Sequence, residues 1–286
     1  DPQGFMFFQG YGNYRNYFKE GLDKLGVDVH LFRVGEYKSA AEPYIRNDMS
    51  IEAKESALHY MNGLWETYLE GIANKRNMSV DELKQVIENQ SILLQGTDGD
   101  IASMYKNAGL IDQIKNSHFK NKYLAGLSSP DDNGGFRNIT MNNYLSVINK
   151  EKTDKKLNNI AVIVAEGTIL DGTHDAGTIG GASTSELLRK ARLDKSVKAV
   201  VLRVNSPGGS ALASDVIWRS VEKTKEIKPV IISMGDLAAS GGYYISCGAD
   251  RIFAEPNTIT GSIGVFGMIP NLGRMLENKI GITFDK

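Results

Sequence analysis

The sequence holds one cysteine, Cys247, and seven prolines in 286 residues. A single cysteine excludes an intrachain disulfide and leaves the redox compartment open. As a small apolar residue it is expected on a buried helix face. No apolar run reaches the roughly 18 residues of a membrane span, and no basic, apolar, then small-residue pattern marks a secretion signal. Any membrane anchor is therefore expected outside this chain. Charge of one sign is lacking too: 33 basic against 34 acidic residues give a net charge of −1, so nothing electrostatic points to nucleic acid as a partner. The four histidines, His30, His59, His118 and His174, share no metal-ligand spacing, and no metal or cofactor is implied. Thr97, Asp98, Gly99 and Asp100 lack the remaining ligands of a calcium loop and are read as a cap for a helix from Ile101. Glycine-rich residues 177–181 follow no nucleotide-binding pattern and are read as a flexible loop or lid.

What is present fits a globular protein with room for two medium domains: 41% hydrophobic and 23% charged residues. The chain also resembles itself. Asp1, Pro2, Gly10, Leu22 and Gly26 match Glu255, Pro256, Gly264, Leu276 and Gly281, at an offset of 254 that becomes 255 by the last pair. The expectation is two copies of one unit, both incomplete: 1–119 as the later part of the first, 120–158 as a polar connection, and 159–286 as the earlier part of the second. In the first copy the patterns predict a helix over 14–25, a strand over 27–34, and helices over 51–74 and 80–88, the last with a capping box from Ser79 to Glu82. The Lys-, Asn-, Asp- and Gly-rich connection has one expected ordered piece at 141–148. In the second copy strands are expected at 160–165, 199–204, 230–234 and 251–254, with helices at 185–193, 211–225 and from Ser240. Strand cores without a polar face predict an α/β fold whose sheet is covered on both sides.

Ser240 is the residue to explain. It stands in Ala238-Ala239-Ser240-Gly241-Gly242, where a β-branched strand runs into a small-residue turn at the start of a helix. Small neighbours leave room for a substrate carbonyl, and unpaired N–H groups at a helix start suit the Gly241 amide to oxyanion binding. The usual serine elbow relies on a histidine, and none here has a fitting context, whereas serine–lysine variants of the same chemistry exist. In Asn205-Ser206-Pro207-Gly208-Gly209 the glycines let a backbone amide approach a substrate without an intervening Cβ.

Four motifs together carry a resemblance: the two above, Thr260-Gly261-Ser262-Ile263-Gly264-Val265, and Gly35-Glu36-Tyr37-Lys38-Ser39-Ala40-Ala41-Glu42-Pro43. They are similar to the signal peptide peptidase A family, also called protease IV, in its long two-copy form, within the Clp protease/crotonase superfamily of repeated ββα units. The resemblance implies a serine endopeptidase in which Ser240 is the nucleophile and Lys38 the general base, serine and lysine coming from different copies. It implies Gly209 and Gly241 as oxyanion donors, with Gly208 shaping the turn. Ser39 is a candidate for orienting the amine. Lys38 must lose its proton near neutrality, which burial would favour and the carboxylates of Glu36 and Glu42 would oppose if close. Further implications are signal peptides and other apolar peptides as substrates, a bacterial inner-membrane location with catalytic domains facing the periplasm, and a homo-oligomer, a tetramer by resemblance. Two rivals stand beside this reading. One is a crotonase-type acyl-CoA enzyme, whose acidic groups and CoA site are not visible. The other is an inactive peptide-binding or scaffolding member of the family.

Overall fold

The computed structural model of the chain describes residues 8–133, 135–148 and 159–285. The matched pair Asp1 and Pro2, and 149–158 of the expected connection, lie outside the described residues. Contacts divide the chain into two compact units, 1–10 with 65–155 and 11–64 with 156–286. These units of packing interleave along the chain, whereas the expected copies are units of sequence.

The first elements are α1 (Lys19–Leu25), β1 (Asp28–Val34), α2 (Glu42–Ile45), α3 (Ile51–Arg76), α4 (Val80–Glu88), α5 (Gln90–Gln95), α6 (Ile101–Asn107), α7 (Ser117–Leu127) and α8 (Met141–Ile148). They are followed by β2 (Asn159–Glu166), β3 (Ile169–Leu170), β4 (Ile179–Gly180), α9 (Gly181–Leu193), β5 (Val197–Ser206), α10 (Ala211–Lys225), β6 (Val230–Ala239), α11 (Gly241–Tyr244), β7 (Arg251–Phe253), β8 (Ile259–Gly261), β9 (Val265–Asn271) and α12 (Gly273–Met275), which runs into a π-helical turn.

The unit containing 65–155 is helical. Phe8, Leu69, Ala73, Leu83, Met104, Tyr105 and Leu110 form its core, with the Phe8 ring 6.2 Å from Trp65 and 5.9 Å from Tyr68. Both predicted caps are present. Ser79 accepts from the Glu82 amide while the Glu82 carboxylate accepts from the Ser79 amide. Asp100 accepts from the amides of Ala102 and Ser103. The expected polar connection is partly helical: Asn116 accepts from the Phe119 amide and starts α7, whose Phe119, Tyr123, Leu124 and Leu127 recur at helical spacing.

The other unit is α/β. Its sheet runs β2-β5-β6-β7, all neighbours parallel, with β8 pairing the end of β6. Helices α9 and α10 cover one face. Leu188, Ala191, Ala213, Ile217 and Val221 meet Ile163, Ala165, Val200, Leu202, Val204, Val230, Ile232 and Met234. The other face is not covered as expected: Ile160, Val162 and Val164 are 64%, 63% and 62% exposed. An unbroken apolar strand reports what a face can bury, not what lies against it.

Several elements escaped the sequence reading. Residues 179–181 are no lid: they form β4 and the first residue of α9, and a Cβ on Gly181 would lie 3.0 Å from the Ala213 Cβ. Helix α1 starts at Lys19 rather than near 14, because the Phe18 amide is taken by the Pro43 carbonyl at 2.7 Å. Strand β1 pairs antiparallel with β9 from Asp28 opposite Asn271 to Val34 opposite Val265. Cys247 is exposed, contrary to expectation, because α11 ends at Tyr244 and leaves it in the turn beyond, where its thiol meets the Tyr244 carbonyl.

Candidate active site

All the candidate residues lie in the α/β unit. Strand β6 delivers Ser240 at its C-terminal end with φ 54° and ψ −118°, a conformation rare outside glycine. The turn is pinned on both sides: the Ser240 amide donates to the Gly261 carbonyl of β8, and its carbonyl accepts from the Tyr244 amide, each at 2.9 Å. Ser240 occupies the N-cap position of α11, yet its hydroxyl caps nothing. It instead meets the Lys38 amine, Nζ to Oγ 2.8 Å.

Lys38 comes from the turn after β1, which the β1–β9 ladder carries to the Ser262–Gly264 segment. Its residue is 6% exposed, and burial pushes the amine's pKa below that of an ordinary lysine. Two further acceptors surround Nζ, the Ser262 carbonyl at 2.8 Å and the Ser262 hydroxyl at 3.2 Å. A neutral amine has two hydrogens and one lone pair. The two Ser262 oxygens can take the hydrogens, which turns the lone pair toward the Ser240 hydroxyl. Ser39 does not share in this: among the described residues its hydroxyl makes no hydrogen bond to Lys38. The sequence reading used Ser262 only as part of a motif. Its contact with Lys38 spans 224 positions, so no local pattern announces it.

The Pro207-Gly208-Gly209 turn packs directly on the serine. A Cβ on Gly208, at φ 96°, would lie 2.8 Å from the Ser240 Cβ, and one on Gly209 would overlap the Ile169 carbonyl. Short strand β3 holds this turn: Ile169 donates to the Gly208 carbonyl at 2.9 Å and accepts from the Ser210 amide at 2.8 Å. The Gly208 amide is occupied by the Ser206 hydroxyl. Among the described residues, the Gly209 and Gly241 amides have no acceptor. The structure thus brings together Ser240, Lys38, Gly208, Gly209 and Gly241, and adds Ser262. The feared carboxylate, Glu42, is 1% exposed with both oxygens engaged: Oε1 lies 3.7 Å from Arg33 Nη1, and Oε2 accepts from the Ser50 amide at 3.2 Å.

A strained serine at a strand end, an amine within hydrogen-bond reach and glycine amides beside it form the constellation that acyl transfer through a serine requires. A family description agrees: the model of peptidase family S49 matches residues 2–125 and 222–286, more than half of the chain. The chain belongs to peptidase family S49. Among its curated relatives, Protease 4 of Haemophilus influenzae is 43% identical over 271 residues, covering 94% of this chain and 44% of that protein. Protease 4 of Salmonella typhi is 41% identical, with 99% and 46% covered. The chloroplastic serine protease SPPA of Arabidopsis thaliana is 31% identical, with 99% and 41% covered. The chain spans less than half the length of these relatives.

Proposed function

We propose that this chain carries the catalytic centre of a serine endopeptidase with a Ser240–Lys38 dyad. The observation that carries the reading is the 2.8 Å contact between the Lys38 amine and the Ser240 hydroxyl, made by a buried lysine. Neutral Lys38 takes the proton of Ser240 as Oγ attacks the scissile carbonyl carbon. The oxyanion accepts from the Gly209 and Gly241 amides. The protonated amine then gives its proton to the leaving nitrogen as the C–N bond breaks, leaving an ester on Ser240. Water attacks that ester, its proton passing to Lys38 and then to the departing serine oxygen, which restores both groups.

The substrates we propose are apolar peptides, signal peptides released from precursors foremost, degraded at a bacterial inner membrane by domains that face the periplasm and assemble as a homo-oligomer. No helix among the described residues is long and apolar enough to cross a membrane. The names of the curated relatives support the peptidase class.

The test is labelling by a fluorophosphonate or peptide boronate, in this chain and in the full-length protein, with Ser240→Ala and Lys38→Ala as controls. Labelling of the wild type that both substitutions abolish is expected. A folded full-length protein that takes no label would overturn the reading in favour of a peptide-binding scaffold.

A further inference from the structure

Helix α2 buries a carboxylate, Glu42, four residues after Lys38 in the chain. Glu42 is 1% exposed, and a buried carboxylate survives only if it is paired and hydrogen-bonded. One partner is the Ser50 amide, at the N-cap of α3, where the Ser50 hydroxyl in turn accepts from the Ala53 amide. The other is Arg33 on β1, and the same guanidinium nitrogen that faces Glu42 also donates to the Lys38 carbonyl at 3.4 Å. Arg33 thereby touches the main chain of the lysine and the charge of the carboxylate at once. Other ionisable groups on the neighbouring elements include Glu36 and Tyr37 on the turn itself, Tyr44 on α2 with its ring against Phe18, Glu52 and Glu55 at the start of α3, with the Tyr37 hydroxyl donating to Glu55, Arg46 paired with Asp48, and Glu20 of α1 accepting from Asn47. Strand β9 and the 262–264 segment contribute none. Arg33 is the cation these contacts assign to Glu42.

We propose that Arg33 is a positioning residue for Lys38: it neutralises the buried Glu42 carboxylate and anchors the Lys38 carbonyl, so that the amine meets Ser240 without a negative charge acting on it. The inference deepens the proposed dyad and rests on that reading for its catalytic meaning, but its physical content can be measured without turnover. Competitive acetylation of lysines with isotopically labelled acetic anhydride across pH, read by mass spectrometry on the Lys38 peptide, gives the titration of this one amine. Removing the guanidinium leaves a carboxylate that favours the ammonium, so in Arg33→Gln the Lys38 titration should move up by about one unit, a tenfold shift in its proton equilibrium. Arg33→Lys should stay near wild type. Glu42→Gln alone, which leaves Arg33 uncompensated, should move the titration down, and Arg33→Gln with Glu42→Gln should return toward wild type. An unchanged titration in folded Arg33→Gln, or a shift that the added Glu42→Gln does not reverse, overturns the proposal. If Arg33→Gln does not fold by circular dichroism, the direction of Glu42→Gln decides. Fluorophosphonate labelling in parallel separates the two readings: a wild type that takes no label while the Lys38 shifts appear as stated defeats the dyad and leaves the charge compensation standing.

Discussion

Gly35 and Gly264 meet backbone to backbone where the lysine-bearing turn crosses the segment that carries Ser262. A Cβ on Gly35 would lie 2.8 Å from the Ile263 carbonyl and 3.2 Å from the Gly264 Cα, and one on Gly264 would strike the Val34 carbonyl. Both have positive φ, 111° and 141°. This crossing sets how Lys38 approaches Ser262 and Ser240.

Gly35→Ala and Gly264→Ala should each cost about 1–3 kcal/mol of stability through backbone strain. Displacing the amine by even an ångström should slow labelling of Ser240 about a hundredfold. Thermal unfolding and labelling rates measured together check this; full labelling in either variant would show that the close approach does not position the site.

The pH dependence follows from the lowered pKa of Lys38. Labelling should rise as the amine loses its proton, with a midpoint below the ~10.4 of a free lysine. Stability follows the same group. Between the depressed folded pKa and the ordinary unfolded one, the unfolded chain binds more protons, so stability rises with pH through that window and the cost of burying the ammonium is fully present below it. Lys38→Met should therefore be inactive yet more stable than wild type at neutral pH, with the gap closing in alkali. Denaturant melts at several pH values test it, and a pH-independent gap would contradict the assignment.

Ser262→Gly suits the φ of 49° at that position and keeps the carbonyl that holds Nζ, losing only the hydroxyl. One hydrogen bond of about 1 kcal/mol corresponds to a labelling rate several-fold lower. A rate equal to wild type would assign the orientation of the amine to the carbonyl alone.

In Gly209→Ala the added methyl collides with the Ile169 carbonyl and must displace the amide proposed for the oxyanion. Hydrolysis of a peptide ester should fall about 10²–10³-fold, the range for loss of one oxyanion donor. The Lys38 amine contacts Ser240 and Ser262 and not this turn, so the pH midpoint of the remaining activity should not change; a moved midpoint would mean that the turn also holds the base.

The parts of the molecule legible in the sequence were those written locally. Helices α4 and α10 run over the expected residues because caps and 3.6-residue periodicity lie within them, and Ser240 was found because a strand, a serine and two glycines are contiguous. Strand β6 extends five residues past the expected Met234, since Leu237 to Ala239 are recruited by β8, a partner with no signal of its own. The β1–β9 ladder, Ser262 at Lys38 and Arg33 at Glu42 rest on tertiary pairing, which local pattern does not encode. Adjacency makes Ser39 a candidate for orienting the amine, with a solvated hydroxyl as the equal alternative, but the partners of Nζ are Ser240 and Ser262, both distant in sequence.

The 202 positions of sequence between Lys38 and Ser240 also bear on timing. A ribosome delivers the base early and the nucleophile late, and loop closure of that length is paid before the contact forms. On the proposed reading, a nascent or half-folded chain holds an ordinary serine and an ordinary lysine, neither able to cleave its own exposed backbone. Reactivity toward a fluorophosphonate should return on refolding with the last, slowest phase. The wide spacing would then act as a safety catch, released by completion of the fold itself.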